Sequence, residues 1–151
     1  MTLVDANLLI YAHDSASAHH ELARGWLETT FSGSEQIGLT WMVVLAFVRI
    51  TTSPRPLEHP FSIAEAVELV TGWLERPTVA LVHPGERHWE ILRRLLEEGQ
   101  APGPLVMDAH LAALAIEHGA TLATTDKDFT RFPELRMVNP LMSETADEDS
   151  G

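Results

Sequence analysis

Five short aliphatic or β-branched runs, "TLV", "QIGL", "TVALV", "ATLAT" and "RMVN", are separated by longer segments of helical character. This alternation constrains the fold more than any other feature of the chain. Strand, helix, strand in succession predicts an α/β domain, with parallel strands in a central sheet covered by helices. The helical segments carry their own punctuation. Ser17 is expected to cap "AHHELARGWLETTF", Thr40 to cap "WMVVLAFVRITT", and Ser62 with Glu65 to form a capping box ahead of "IAEAVELVTGWLE". "ERHWEILRRLLEE" stops at Gly99 and "MDAHLAALAIEH" at Gly119, a residue suited to a left-handed C-terminal cap. "TSPRP" cannot continue a helix, so Pro54 and Pro56 mark a turn.

A chain of 151 residues with 45% hydrophobic content is long enough for one complete core. No repeat or low-complexity linker divides it. The expected organisation is one domain over 1–141 and an acidic tail over 142–151, ending in "SETADEDSG", whose composition predicts disorder. The opening "MTLVDAN" has no basic region, Asp5 and Asn7 interrupt its apolar residues, and no run of about 18 apolar residues occurs. Neither export nor membrane insertion is expected, and a cytoplasmic address is. The absence of cysteine rules out a disulfide framework and a thiolate metal site.

The formal net charge is -12, of which Glu144, Asp147, Glu148 and Asp149 supply four, so the imbalance is not confined to the tail. It argues against tight, sequence-independent binding of nucleic acid through a broad basic face. It is compatible with surplus acid for solubility, and equally with an enzyme built on clustered carboxylates.

Three acids fall where such a cluster would form. In an open α/β sheet the ligand crevice lies beyond the carboxyl ends of the strands. Asp5 ends its strand, and Asp126 follows "ATLAT" in a turn for which Thr124 and Thr125 supply hydroxyls. Asp108 shares a helix face with Leu111, Ala112 and Ala115, whereas His110, Glu117 and His118 point elsewhere and are expected in solvent. Singly, Asp5 reads as a strand-end cap, Asp126 as a turn former and Asp108 as an acid favoured by a helix dipole. Together they favour a site for a hard, oxygen-preferring cation such as Mg2+ or Mn2+, with phosphodiester hydrolysis by metal-activated water as its natural chemistry.

The ordered set "LVDANLLIYA", "LAFVRITTSPR", "MDAHLAALAIEHGATLATTDKDF" and "RFPELRMVNP" resembles the PIN-domain ribonucleases, and among them the VapC-type toxins of bacterial toxin–antitoxin pairs. The resemblance covers nearly all of the chain up to about Pro140. It implies a PIN-like α/β/α domain, an acidic pocket holding Mg2+ or Mn2+, and endonucleolytic cleavage of RNA, with tRNA or rRNA as substrate class. It also implies inhibition by a cognate VapB-like antitoxin, and a homodimer. The family's acids fall on Asp5, Asp108 and Asp126, with Asp128 as an outer member of the cluster. Asn7 fits the opening motif, either as a hydrogen-bond donor near the metal or as a plain turn-and-cap residue.

One departure stands out. The family usually carries a glutamate three residues before the arginine of its third helix, and counting back from Arg49 reaches Ala46; no acid lies between Glu35 and Glu58. A related subgroup shares "FVRI" followed by "T-x-PR" without that glutamate. Ligation then rests on Asp5, Asp108 and Asp126, with Asp128 or water filling in, and a second metal is expected to bind weakly. The alternative in another class is a catalytically weakened PIN domain that binds antitoxin or RNA. Arg49 reads as a salt-bridge partner of a pocket acid or as an RNA phosphate contact. Thr125 and Lys127 would face substrate, and Arg55, Lys127 and Arg131 lie on flanking loops that could steer RNA. The eight histidines include no H-E-x-x-H pattern, no serine occupies a G-x-S-x-G context, and glycine-rich phosphate loops are absent. Trp26, Trp73 and Trp89 read as packing residues, and Trp41, opening the third helix, as an RNA contact.

Overall fold

The structure is a computed structural model and describes residues 1–142. The expected acidic tail, apart from Met142, therefore lies outside the described residues. Five parallel strands form one sheet: β1 (Thr2–Val4), β2 (Ile37–Leu39), β3 (Val79–Leu81), β4 (Thr121–Ala123) and β5 (Met137–Val138). Each coincides with one of the five short runs. Their spatial order is β3-β2-β1-β4-β5. The chain thus builds outward from β1 in one direction, then returns to place β4 on its other side. That reversal makes the β1–β4 pair the switch point of the sheet, where a crevice opens beyond the strand ends.

Six helices connect the strands: α1 (Ala6–His13), α2 (His20–Ser32), α3 (Trp41–Thr51), α4 (Ile63–Leu74), α5 (His88–Glu98) and α6 (Leu105–Glu117). With the strand order given, the right-handed crossovers usual between parallel strands place α1–α4 on one face and α5–α6 on the other. The packing agrees, with α1 against α2 and α3, α3 against α4, and α5 against α6. A short 3-10 helix, Lys127–Arg131, links β4 to β5.

Most of the punctuation holds. The Thr40 hydroxyl accepts from Val43 N at 3.2 Å, and Ser62 and Glu65 exchange both capping-box hydrogen bonds at 3.1 Å. Gly119 adopts φ +62 just after α6, where a side chain would be strained. Ser17 does not cap α2. Its hydroxyl accepts from His19 N in the preceding turn, and α2 begins at His20 without a side-chain cap. The sequence reading leaves α1 unassigned, because eight residues of mixed apolar character directly behind a strand give no clear helical period. Helix α6 starts at Leu105, two residues before the expected Met107.

The core joins Leu3 and Val4 of β1, Leu122 and Ala123 of β4, and an almost continuous buried stretch of α6 running from Ala109 through Leu111 to Ala115. Four alanines in that stretch let the helix approach its neighbours closely on nearly every side. Trp73 is buried among Phe31, Phe47 and His13, whereas Trp89 lies outside the core at 65% exposure. His110 is not a solvent residue: it is half-buried against α5, and its Nδ1 meets Nε2 of His88 at 2.9 Å.

Candidate metal centre

Each acid is aimed by the element it begins or ends. Asp5 follows β1 and caps α1, its Oδ1 accepting from Ala6 N at 2.8 Å. Its Oδ2 accepts from the Thr124 hydroxyl at 2.7 Å, across 119 positions of sequence. Asp126 follows β4 and caps the 3-10 helix, its Oδ1 accepting from Asp128 N at 2.9 Å. Asp108 projects from the first turn of α6 and has no hydrogen-bond partner among the described side chains.

The structure brings Asp108, Asp126 and Asp128 together, with one carboxylate oxygen from each within 4.8 Å of the others. Among the described residues this is the one group of three or more potential metal ligands so arranged. Asp5 falls outside this close set and lies beside it, near enough for the Asp126 charge to push its pKa up. Asp128, read from sequence as an outer member, is inside it.

Electrostatics separate these acids. Burial pushes the Asp5 carboxyl up, while the Thr124 and Ala6 hydrogen bonds hold it down. Asp108 is pushed up to about 6, first by burial and then by repulsion from Asp126, Asp5 and Asp128, with the Arg131 charge acting the other way. A carboxylate with no donor and three acidic neighbours holds its negative charge at a cost, which a bound cation would relieve.

Thr124 supports the Asp126 turn as expected, and its bond to Asp5 is what sequence reasoning missed. It is fully buried, and its single proton goes to Asp5. Its oxygen therefore accepts, from Asp126 N at 3.0 Å and from Asn7 Nδ2 at 3.4 Å. One hydroxyl thus ties together the exits of β1 and β4. Asn7 Nδ2 also donates to the Thr125 hydroxyl at 2.9 Å, and its Oδ1 is buried without a partner among the described residues. The only sequence signal is a hydroxyl residue two positions before an acid at a strand end.

Arg49 and Lys127 are exposed and form no ion pair among the described residues. The salt-bridge reading of Arg49 is therefore not realised. Arg131 is half-buried, and its guanidinium bonds the backbone carbonyls of Asp128, Gly99 and Gln100. Ala46 lines an apolar groove of about 830 Å3 that runs from Asp5 and Ala6 past Met42, Leu45 and Met107 to Arg49. Ala46, where the resemblance expects a glutamate, thus presents only a methyl group to the groove that Asp5 also lines. Trp41, at 47% exposure, opens the helix that forms this wall.

A PIN-domain family model matches residues 2–135. Ribonuclease VapC37 of Mycobacterium tuberculosis (strain ATCC 25618 / H37Rv) is 41% identical over 140 residues, which is 93% of this chain and 97% of the relative. Ribonuclease VapC33 of the same strain is 38% identical, over 93% of this chain and 99% of its own length. Among solved structures, VapBC-1 from nontypeable Haemophilus influenzae aligns with a TM-score of 0.66 at 16% identity, covering 93% of this chain and 98% of that one. VapC20 of Mycobacterium tuberculosis, described as a sarcin-ricin loop cleaving toxin, aligns at 0.65 and 16% identity, over 86% and 93% of the respective chains. The family model spans most of the described residues and the curated relatives cover nearly the whole chain, so the chain belongs to the PIN-domain family.

Proposed function

We propose that this chain is the toxin of a toxin–antitoxin pair and an endoribonuclease that hydrolyses RNA phosphodiester bonds with Mg2+ or Mn2+. The observation that carries the reading is the close triad of Asp108, Asp126 and Asp128 at the switch point of the sheet, with no cationic side chain ion-paired to it among the described residues. The donor set fits the cation: all oxygen, all anionic, and too repulsive to be comfortable without positive charge. Relatives of 38% and 41% identity bearing the name ribonuclease favour catalysis over a binding-only module, despite Ala46.

A divalent cation here supplies Lewis-acid polarisation of the phosphate and acidifies water for in-line attack. The protein's part is placement. Asp108, Asp126 and Asp128 would hold the cation. Asp5, with both oxygens already engaged, adds charge and its remaining lone pairs from a fixed position. Asn7 and Thr125 lock the turn that carries Asp126, and Arg49, on the groove with Asp5, and Lys127, between Asp126 and Asp128, bind RNA phosphates. Structured RNA of the tRNA or rRNA class is the substrate, encountered in the cytoplasm. A VapB-like antitoxin with a basic arm is the complementary inhibitor of so acidic a pocket, and the active unit is a homodimer. No helix among the described residues is long and apolar enough to cross a membrane.

Purified chain incubated with total RNA and Mn2+ should release discrete fragments, and the fragments should vanish with a chelator or with Asp126→Asn. Intact RNA under every divalent cation tried would overturn the reading in favour of the binding module.

A further inference from the structure

The Arg131 guanidinium has no carboxylate partner among the described residues, and two of its three nitrogens bond backbone carbonyls. Its Nε donates to Asp128 O at 3.2 Å, and its Nη1 donates to Gly99 O at 3.1 Å and Gln100 O at 3.0 Å. One planar fork therefore joins two segments, the 3-10 helix after β4 and the exit of α5. The seat is close-packed: a Cβ on Gly99 would lie 2.6 Å from Leu95 O and 2.8 Å from the Phe132 ring. Phe129 and Phe132, at 0% and 2% exposure, anchor the same loop from beneath.

This loop carries two of the three close carboxylates, Asp126 as its cap and Asp128 in its first turn. Both lie near Asp108 and repel it. A five-residue 3-10 helix has weak internal hydrogen-bond geometry, so it does not resist that repulsion alone. We infer that Arg131 is a positioning residue: by clamping the loop to the exit of α5, it keeps Asp126 and Asp128 within ligating distance of Asp108. The inference rests on the divalent-cation reading of the site. The Arg131 charge also acts on Asp108, opposing the repulsion from the other acids. Lysine would keep the charge but cannot offer a planar fork of directed donors to three carbonyls.

The test uses the full chain with Arg131→Lys and Arg131→Gln, each checked for an unchanged far-ultraviolet spectrum. Two readouts are taken: Mn2+ affinity by electron paramagnetic resonance, and hydrogen exchange of the Asp128 amide in metal-free protein. The expected result is a loss of Mn2+ affinity of about 10-fold or more in both variants, the range for partners that orient metal ligands. Exchange at Asp128 should quicken while the β1 and β4 amides stay protected. Unchanged exchange at Asp128 would overturn the clamp. Wild-type Mn2+ affinity in both variants would overturn its link to the site, even with quickened exchange. Absence of Mn2+ binding by the unaltered chain is a separate failure, that of the metal reading itself.

Discussion

The exit of β1 and the start of α6 each deliver an acid to the same crevice, by opposite physical means. At Asp5 both carboxylate oxygens accept hydrogen bonds, one from the helix it caps and one from the buried Thr124 hydroxyl. At Asp108 no donor among the described residues is in reach, and burial and three acidic neighbours press its carboxyl up to about 6. The first acid is held by bonds that exist without a ligand. The second is held only by the helix beneath it, and the Arg131 charge offsets the repulsion on it only in part. On the proposed reading, a site assembled from both kinds would have a fixed reference point and a carboxylate that gains most from a bound metal.

The sharpest way to break this comparison is to delete each acid in turn. Asp108→Asn and Asp5→Ala should each reduce RNA cleavage by at least about 100-fold, the upper range for partners one shell further out. Their effects on metal-free stability should have opposite signs at neutral pH. Asp108→Asn removes repulsion and should raise the thermal midpoint. Asp5→Ala deletes a helix cap, worth about 1 kcal/mol, and strands the Thr124 hydroxyl, worth about 1–3 kcal/mol, so the midpoint should fall. Scanning calorimetry of both variants without metal decides it, and shifts of the same sign would dissolve the distinction.

Thr124 is where the two regions are stitched together, so its removal should be next in size. Thr124→Val keeps the volume but leaves Asp126 N and Asp5 Oδ2 without their partner. Urea unfolding should show a loss of about 1–3 kcal/mol, and Mn2+ affinity should fall about 10- to 100-fold. Thr124→Ser retains the hydroxyl and should restore most of both. If serine behaves as valine does, the methyl packing of Thr124 matters and its hydrogen bonds do not.

The same contrast marks what can be read from the sequence. Strands are legible because parallel strands buried on both faces are short aliphatic runs, and Thr40, Ser62 and Gly119 announce helix ends by local chemistry. Asp5, Asp108 and Asp126 are legible as candidates because strand ends and helix starts can be located one element at a time. The Asp5–Thr124 bond and the Arg131 clamp are not. They join residues far apart in the chain, and nothing local distinguishes Arg131 from a surface charge. The membership of Asp128 in the close triad depends on the turn geometry of the 3-10 helix, which residue types alone do not specify. Helix α1 escapes because Asp5 reads as the end of a strand, when it is at once that strand's exit and the N-cap of α1.

A gentler probe of the Asp108 side is pH. Its folded-state pKa, about 6, lies above the ordinary value of 3.8, so the folded chain binds more protons than the unfolded chain between those limits. Asp5 shifts in the same direction. Stability contributed by these protonated carboxyls is present at and below about pH 4 and is lost as pH rises through about 6. Metal-free protein should therefore lose stability across that window, and saturating Mn2+ should flatten the loss at its upper end. The check is a set of urea midpoints at several pH values, with and without Mn2+. A midpoint rising through the window without metal would mean that other groups dominate and that Asp108 is not strained.

The smallest effect expected is also the one that tests the departure at Ala46. This residue shares a groove with Asp5, on a largely apolar wall, so a longer acidic side chain there would enter the groove beside Asp5. Ala46→Glu should tighten Mn2+ binding by severalfold, and its metal-free form should lose more stability than the parent between pH 4 and 6, because a fifth acid joins the repulsion. Calorimetric titration should find one tight Mn2+ in the parent and a second, weaker one gaining affinity in the variant. Two tight sites already present in the parent would show that Asp5 and the Asp108 triad need no further carboxylate. In that case the hydrogen-bonded acid is a full ligand, and the contrast between the fixed carboxylate and the strained one is a difference in how each is held, with no difference in what each does.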